Sequence, residues 1–129
     1  MTTEPSKDFM KRCLELADEM IEDAKILLEK ERFRSAADRA YYAMYHAAYA
    51  VLASKGFKPK THRGLISLFG SEIVKKGIVD KGFLKDISEA FDVRQASSYE
   101  IYAKFGEDRI KELVESAENF VNKMKEVIK

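Results

Sequence analysis

The sequence predicts an all-α fold, an up-and-down bundle of four to five helices. Apolar residues recur at steps of three and four through most of the chain. No segment shows the strict alternation of a half-buried strand, and turn-forming residues separate the periodic segments. At 129 residues the chain has the length of one domain, so we expect a single helical domain over residues 1–129.

Each expected helix starts or ends at a residue that favours a helix boundary. Pro5 precedes the first helix, Gly56 follows the second, Thr61 is suited to cap the third, and Gly106 precedes the last. The expected ranges are 6–30, 34–54, 61–76, from about 83, and from about 107. Apolar stripes on these helices predict the core, with Phe120 in the stripe of the last helix.

The single cysteine, Cys13, lies on the same apolar stripe of the first helix as Phe9. We therefore interpret both as core residues, and we do not expect Cys13 to act as a nucleophile. One cysteine allows no internal disulfide, which favours the cytoplasm. No apolar run reaches the roughly 20 residues of a membrane span, and the N-terminus lacks a signal-peptide core. The sequence has no zinc-ligand cluster and no phosphate-binding glycine loop, so no metal and no cofactor are expected.

Charge is balanced along the chain, with 23 Lys and Arg against 22 Asp and Glu. This balance argues against a chain-wide field for nucleic acid but leaves room for a local patch. One segment carries four basic residues and no acid: Lys55, Lys58, Lys60 and Arg63. It is either a solvated connecting loop or an edge that contacts phosphate.

The second helix has two occupied faces. Its core stripe consists of Ala37, Tyr41, Met44, Ala48 and Val51. The opposite face carries Ser35, Asp38, Arg39, Tyr42, His46 and Tyr49. Amphipathic aromatic residues mixed with a few charges are typical of a protein–protein interface or a ligand groove. We therefore predict a symmetric homodimer that buries part of Tyr42, His46 and Tyr49.

Arg94 is the most informative residue, because it occupies a helical position where the pattern requires an apolar side chain. The stripe formed by Leu84, Ile87 and Phe91 continues to Arg94 and then to Ser98. A guanidinium is costly to bury without a partner. That partner is a carboxylate, a helix end, another subunit or an anionic ligand, so Arg94 is either a structural ion-pair residue or part of a functional site.

Three ordered segments resemble the HEPN (higher eukaryote and prokaryote nucleotide-binding) family, in its small stand-alone prokaryotic branch. They are Tyr41-Tyr42-Ala43-Met44-Tyr45-His46-Ala47-Ala48, then Lys60-Thr61-His62-Arg63-Gly64-Leu65, and then Arg94 with Tyr99 five positions later. The resemblance implies a helical bundle that dimerises, with the late motif of each subunit lining a cleft at the interface. Many members are metal-independent ribonucleases with an Arg-x(4–6)-His motif, paired as toxins with a minimal nucleotidyltransferase.

In this chain Arg94 matches the arginine of that motif, whereas Tyr99 stands in the position of the histidine. Cleaving RNA without a metal requires a group that takes the proton of a 2′-hydroxyl, and tyrosine is a poor base near neutral pH. We therefore expect Tyr99 to bind ligand, and we name His46 as the candidate catalytic partner of Arg94. His62 is expected to have a local structural role beside Thr61. The expected ligand-binding residues are Arg94, Tyr99, Ser98, Arg39, Lys60 and Arg63.

Residues five apart on a continuous helix point about 140° away from each other. Arg94 and Tyr99 therefore converge only if the helix ends or distorts between them, for which Ser97-Ser98 is a reasonable place.

Three functions remain open. The first is RNA or nucleotide binding, as the toxin or effector half of a pair with a nucleotidyltransferase. The others are an active ribonuclease and a non-catalytic protein-interaction module.

Overall fold

The computed structural model describes residues 7–99 and 106–128, apart from the side chains of Ser98 and Tyr99. The described chain is helical, as predicted, and contains no strand. The helices are α1 (Lys7–Glu29), α2 (Phe33–Ser54), α3 (His62–Leu68), α4 (Lys81–Tyr99) and α5 (Glu107–Ile128), with a π-helical segment at Phe69–Val74 that continues α3.

Helix α2 is the centre of the bundle and contacts every other helix. Its predicted core stripe is confirmed, since Tyr41, Met44 and Val51 are fully buried. All of its alanines are buried as well, including those outside the predicted stripe. Because alanine has the smallest apolar side chain, neighbouring helices approach α2 closely from several directions. The polar residues of α2 that remain at the surface form a narrow strip in its N-terminal half, which includes Ser35, Asp38 and Arg39.

Helix α4 differs from the prediction at its start. Helix α4 begins at Lys81 rather than near residue 83, because the Asp80 carboxylate accepts a hydrogen bond from the Gly82 N–H at 3.0 Å and caps the first turn. It then runs to Tyr99, so the helix does not end at Ser97-Ser98, the place we named for the end or distortion that convergence of Arg94 and Tyr99 requires. The predicted cap of α3 is confirmed, since Thr61 Oγ1 accepts from the Gly64 N–H at 2.9 Å.

The predicted core is confirmed at Cys13 and Phe120 and is wrong at Phe9. Phe120 is fully buried against the ring of Phe69, and burial raises the pKa of the Cys13 thiol. Phe9 is 44% exposed. It lies at the rim of an open surface cavity, with its edge against the ring of Tyr49, instead of between two helices.

Candidate functional site

The candidate site lies where the N-terminal half of α2 faces the C-terminal half of α4. Arg94 of α4 pairs with Asp38 of α2, with 3.2 Å between Nε and Oδ1. Its Nη2 donates to Tyr42 Oη at 3.3 Å, and its Nη1 donates to Gln95 Oε1 at 3.2 Å. The sequence required a partner for this cation, and among the alternatives the structure supplies a carboxylate.

Tyr42 holds the guanidinium of Arg94 through its ring as well as its hydroxyl. The Arg94 Cζ lies 5.4 Å from the Tyr42 ring centroid, a cation–π distance. The Arg94 side chain is only 19% exposed and that of Asp38 is 35% exposed, so the pair is screened less than a surface salt bridge. Arg94 therefore has a fixed orientation at the edge of the bundle.

His62 lies in an aromatic cluster on the other side of Tyr42. The centroid of its ring is 5.0 Å from that of Tyr45, 5.7 Å from that of Tyr42 and 6.1 Å from that of Phe91. Burial, together with the positive charge of Arg94, lowers the pKa of His62. The imidazole is therefore neutral near pH 7.

The hydrogen bond between His62 and Tyr41 fixes the tautomer of that neutral ring. Tyr41 is fully buried, and burial raises the pKa of its hydroxyl, so the hydroxyl keeps its proton. Among the described residues the acceptor for this O–H is His62 Nδ1, at 2.7 Å. We therefore assign the ring proton of His62 to Nε2, which makes Nε2 a hydrogen-bond donor.

His62 is the first residue of α3, beside Thr61, where a local structural role was predicted, and its ring also packs in the aromatic cluster with Tyr45 and Phe91. A signal was present in the sequence. Tyr41 lies on the predicted core stripe, and its buried hydroxyl needs a hydrogen-bond partner. The sequence did not show which residue supplies that partner, since Tyr41 and His62 belong to different helices.

His46 is half-buried one turn after Tyr42 on α2, and burial lowers its pKa. Its ring centroid lies 6.3 Å from that of Tyr42 and 5.5 Å from that of Tyr45. Within the described residues, no hydrogen bond links His46 to Arg94. The ring of Tyr42 contacts both, so the two predicted catalytic residues are neighbours of one tyrosine.

The predicted basic residues Arg63, Lys60 and Arg39 are all exposed. Arg63 is exposed, and its Cζ lies 5.4 Å from the ring centroid of Phe91, which also stacks on His62. Lys60 is exposed in the connection before α3. Arg39 is exposed one residue after Asp38, and it lines a surface cavity together with Arg34. The side chains of Ser98 and Tyr99 lie outside the described residues.

Tyr49 lies away from Arg94, further along the predicted interface face of α2. It is half-buried, with its ring against Phe9 of α1 and Tyr45 of α2.

In the described part of the chain, no three His, Cys, Asp or Glu side chains are grouped so as to hold a metal ion. None of the described helices is long and apolar enough to cross a bilayer.

The family model of the HEPN domain matches residues 10–127. The chain belongs to the HEPN family. The resemblance noted in the sequence is thereby confirmed over nearly the whole chain, and the helical bundle agrees with it. Arg94, Asp38 and Tyr42 all lie within the part of the chain that matches the HEPN model.

Several curated proteins resemble this HEPN chain along most of their length. A protein of Methanocaldococcus jannaschii named "Putative toxin MJ0605" is 34% identical over 116 residues, which cover 90% of this chain and 86% of that protein. Two proteins named "UPF0332 protein" are also similar. That of Archaeoglobus fulgidus is 38% identical, covering 87% of this chain and 89% of its own. That of Thermotoga maritima is 35% identical, covering 87% and 85%.

Proposed function

We propose that this HEPN protein binds RNA or a nucleotide at the cleft centred on Arg94. We further propose that it acts as the toxin or effector half of a pair with a minimal nucleotidyltransferase. The observation that carries the binding proposal is the setting of Arg94, a guanidinium held rigidly at the bundle edge by Asp38 and Tyr42. The name of the Methanocaldococcus relative supports the toxin role.

The chemistry of the surrounding side chains suits a phosphate-bearing ligand with bases. A guanidinium matches the geometry of phosphate oxygens, and half-buried aromatic rings offer stacking surfaces for unpaired bases. Tyr42 provides such a ring beside Arg94, Tyr45 provides a second next to Tyr42, and the neutral His62 offers an Nε2–H donor. These groups favour binding, because they offer stacking surfaces and a hydrogen-bond donor to a phosphate-bearing ligand.

A metal-independent ribonuclease is the second candidate, and His46 is the observation that favours it. Its pKa is lowered by burial, so its imidazole is neutral near pH 7 and has a nitrogen able to accept a proton. In this reaction His46 takes the proton of the ribose 2′-hydroxyl while the 2′-oxygen bonds to the adjacent phosphorus. The bond from phosphorus to the 5′-oxygen breaks, and that oxygen takes a proton from water. Arg94 stabilises the charge on the phosphorus oxygens.

Binding and cleavage are tested together with a labelled single-stranded RNA and with the four ribonucleoside triphosphates. Arg94→Ala should weaken binding by about 1–3 kcal/mol, the range for a lost charge-assisted hydrogen bond. Arg12→Ala is the matched control, since Arg12 is an exposed arginine of α1 that pairs with Glu15 and Glu19. Circular dichroism melts show whether each variant remains folded.

Each result selects one function. Binding without cleavage that Arg94→Ala weakens and Arg12→Ala does not supports the leading proposal. The ribonuclease is supported if wild type cleaves RNA, if Arg94→Ala abolishes that cleavage and if His46→Ala slows it. Tyr99→Phe should then slow cleavage less than these two variants do. If wild type and Arg94→Ala bind RNA and nucleotides equally well and neither cleaves RNA, both the binding proposal and the ribonuclease proposal are contradicted. Arg94 is then a structural ion-pair residue in a protein-interaction module.

A further inference from the structure

A row of ring contacts connects the guanidinium of Arg94 with that of Arg63. The Arg94 Cζ lies 5.4 Å from the ring centroid of Tyr42, and that centroid is 5.7 Å from the centroid of His62. The His62 ring stacks on Phe91 with 6.1 Å between the centroids, and the Arg63 Cζ lies 5.4 Å from the Phe91 centroid. Because Phe91 and Arg94 are three residues apart on α4, they share one face of that helix. The row therefore joins two cations through aromatic rings.

Arg63 belongs to a segment, residues 55–63, whose charged side chains are all positive. Its four basic residues are exposed, namely Lys55, Lys58, Lys60 and Arg63. The described part of the chain places no carboxylate within 4.0 Å of any of the four. Cations without a neighbouring carboxylate concentrate positive potential at a surface, and such a surface attracts a polyanion.

His62 adds a hydrogen-bond donor and a ring surface to this row. Its Nδ1 accepts from the Tyr41 hydroxyl at 2.7 Å, which assigns the ring proton to Nε2. Nε2 forms no hydrogen bond with the described residues and is not enclosed by them. The His62 ring is half-buried, as are those of Tyr42 and Tyr45, so all three retain surface on which a base can stack.

We propose that the surface running from Arg94 across His62 to Arg63 and Lys60, here called the basic track, binds a single-stranded RNA of several nucleotides. This inference rests on the proposed function and deepens it, since that function includes both RNA and a mononucleotide. A single strand carries both phosphates and stackable bases, and the basic track carries both cations and rings. An acidic protein segment would match the cations and leave the rings unused. A mononucleotide would occupy only one end of the track.

Three uridine probes separate a strand from a mononucleotide, namely uridine 5′-monophosphate, a dinucleotide and a decanucleotide. Titrations at several salt concentrations give the affinity and its salt dependence. The decanucleotide should bind wild type about tenfold more tightly than the monophosphate, or better, because it makes more phosphate contacts. Lys60→Gln and Arg63→Gln should each weaken the decanucleotide several-fold and lower the salt slope by about 0.7, the value for one single-strand phosphate. Neither variant should change the affinity for the monophosphate, which we place at Arg94.

Three further variants serve as controls. Arg12→Gln and Lys75→Gln remove the same charges from exposed positions on α1 and directly after the π-helical segment, so both should match wild type. Arg63→Lys keeps the charge, so it should retain the salt slope while losing part of the affinity. Circular dichroism melts show whether each variant remains folded.

A decanucleotide that binds no more tightly than the monophosphate overturns the basic track, as do Lys60→Gln and Arg63→Gln variants that behave like the two Gln controls. The proposed function survives either result if Arg94→Ala still weakens the monophosphate. Wild type that binds none of the probes overturns both proposals. A decaglutamate peptide that binds as tightly as the decanucleotide, with the same dependence on Arg63, would assign this surface to an acidic protein segment and overturn the RNA assignment.

Discussion

At the scale of single residues, Arg94 occupies a position in an apolar stripe because its charge is compensated within the bundle. Its position was predictable, since a cation at helical spacing after Leu84, Ile87 and Phe91 stands out in the sequence. The identity of its partner was not, because Asp38 lies 56 residues earlier and on another helix. Spacing within one helix reveals which residues share a face, and it does not reveal which faces meet.

Removing either partner of the Asp38–Arg94 pair should destabilise the protein. We expect Arg94→Ala and Asp38→Asn each to lower the free energy of unfolding by about 1–2 kcal/mol, because each removes the ion pair from a half-buried charged group. The double variant should cost less than the sum, with a coupling energy of about 0.5–2 kcal/mol. Urea denaturation of the four proteins measures this. Strictly additive losses would show that the ion pair contributes nothing.

The two histidines give the protein a defined pH dependence. The pKa values of both His46 and His62 are lowered by burial, below the ordinary value of 6.5. In the unfolded chain these groups take up protons as the pH falls through about 6.5, whereas in the folded protein they remain neutral to lower pH. The unfolded state then binds more protons, so stability should fall as the pH is lowered from 7 towards 5.

His62→Gln isolates the contribution of one ring. Glutamine has an oxygen that can accept the Tyr41 hydrogen bond, and it does not titrate. We therefore expect the free energy of unfolding of His62→Gln to fall less steeply between pH 7 and pH 5 than that of wild type. His46→Gln is the parallel variant for the other histidine. Identical slopes for wild type and both variants would contradict the assignment of these neutral imidazoles.

At the scale of helices, the existence and order of the elements were predictable from apolar periodicity and turn residues. The start of α4 moved through a local contact, the cap by Asp80, whereas the burial predicted for Phe9 was wrong because this residue lies at the rim of a surface cavity. The ends of α1 and α2 share one geometry. After each helix one residue adopts positive φ, namely Glu31 at 58° and Gly56 at 91°. In each case the next N–H donates five residues back, from Arg32 to Leu27 and from Phe57 to Leu52.

These two helix ends allow a matched pair of substitutions. A side chain disfavours positive φ by about 1 kcal/mol, and a Cβ at Gly56 would meet no atom within 4 Å. We expect Glu31→Gly to stabilise the protein by about 0.5–1 kcal/mol and Gly56→Ala to destabilise it by about 1 kcal/mol. Thermal and urea melts measure both. A destabilising Glu31→Gly together with a neutral Gly56→Ala would show that these residues do not end the helices in this way.

At the scale of the whole molecule, α2 links the core to the candidate site. Its alanines bring the other helices close, while Asp38 and Tyr42 on the remaining strip meet Arg94. The helical architecture followed from the sequence, because it depends on patterns within each segment. The positions of Asp38, Tyr42 and His62 relative to one another depend on how α2, α3 and α4 pack together. The pattern within any one helix does not predict that packing.

We expect the protein to form a symmetric homodimer through the face of α2 that carries Tyr42, His46 and Tyr49. Each of the three is half-buried in the protomer, so each retains surface that a second copy can cover. Tyr49→Arg should convert the dimer to a monomer by placing a charge in that face, and Glu115→Arg on the exposed face of α5 is the control. Light scattering that shows monomeric wild type at micromolar concentration would contradict the assembly.

The most direct test of the proposed function is to map where RNA contacts the protein. Nuclear magnetic resonance of the isotope-labelled protein, titrated with a short single-stranded RNA, reports the main-chain amides and the Arg94 Nε–H group together. The proposed function requires the largest shifts at Arg94, Asp38 and Tyr42, with further shifts at His62. Shifts confined to the exposed face of α5, or no shift at a saturating RNA concentration, would contradict it.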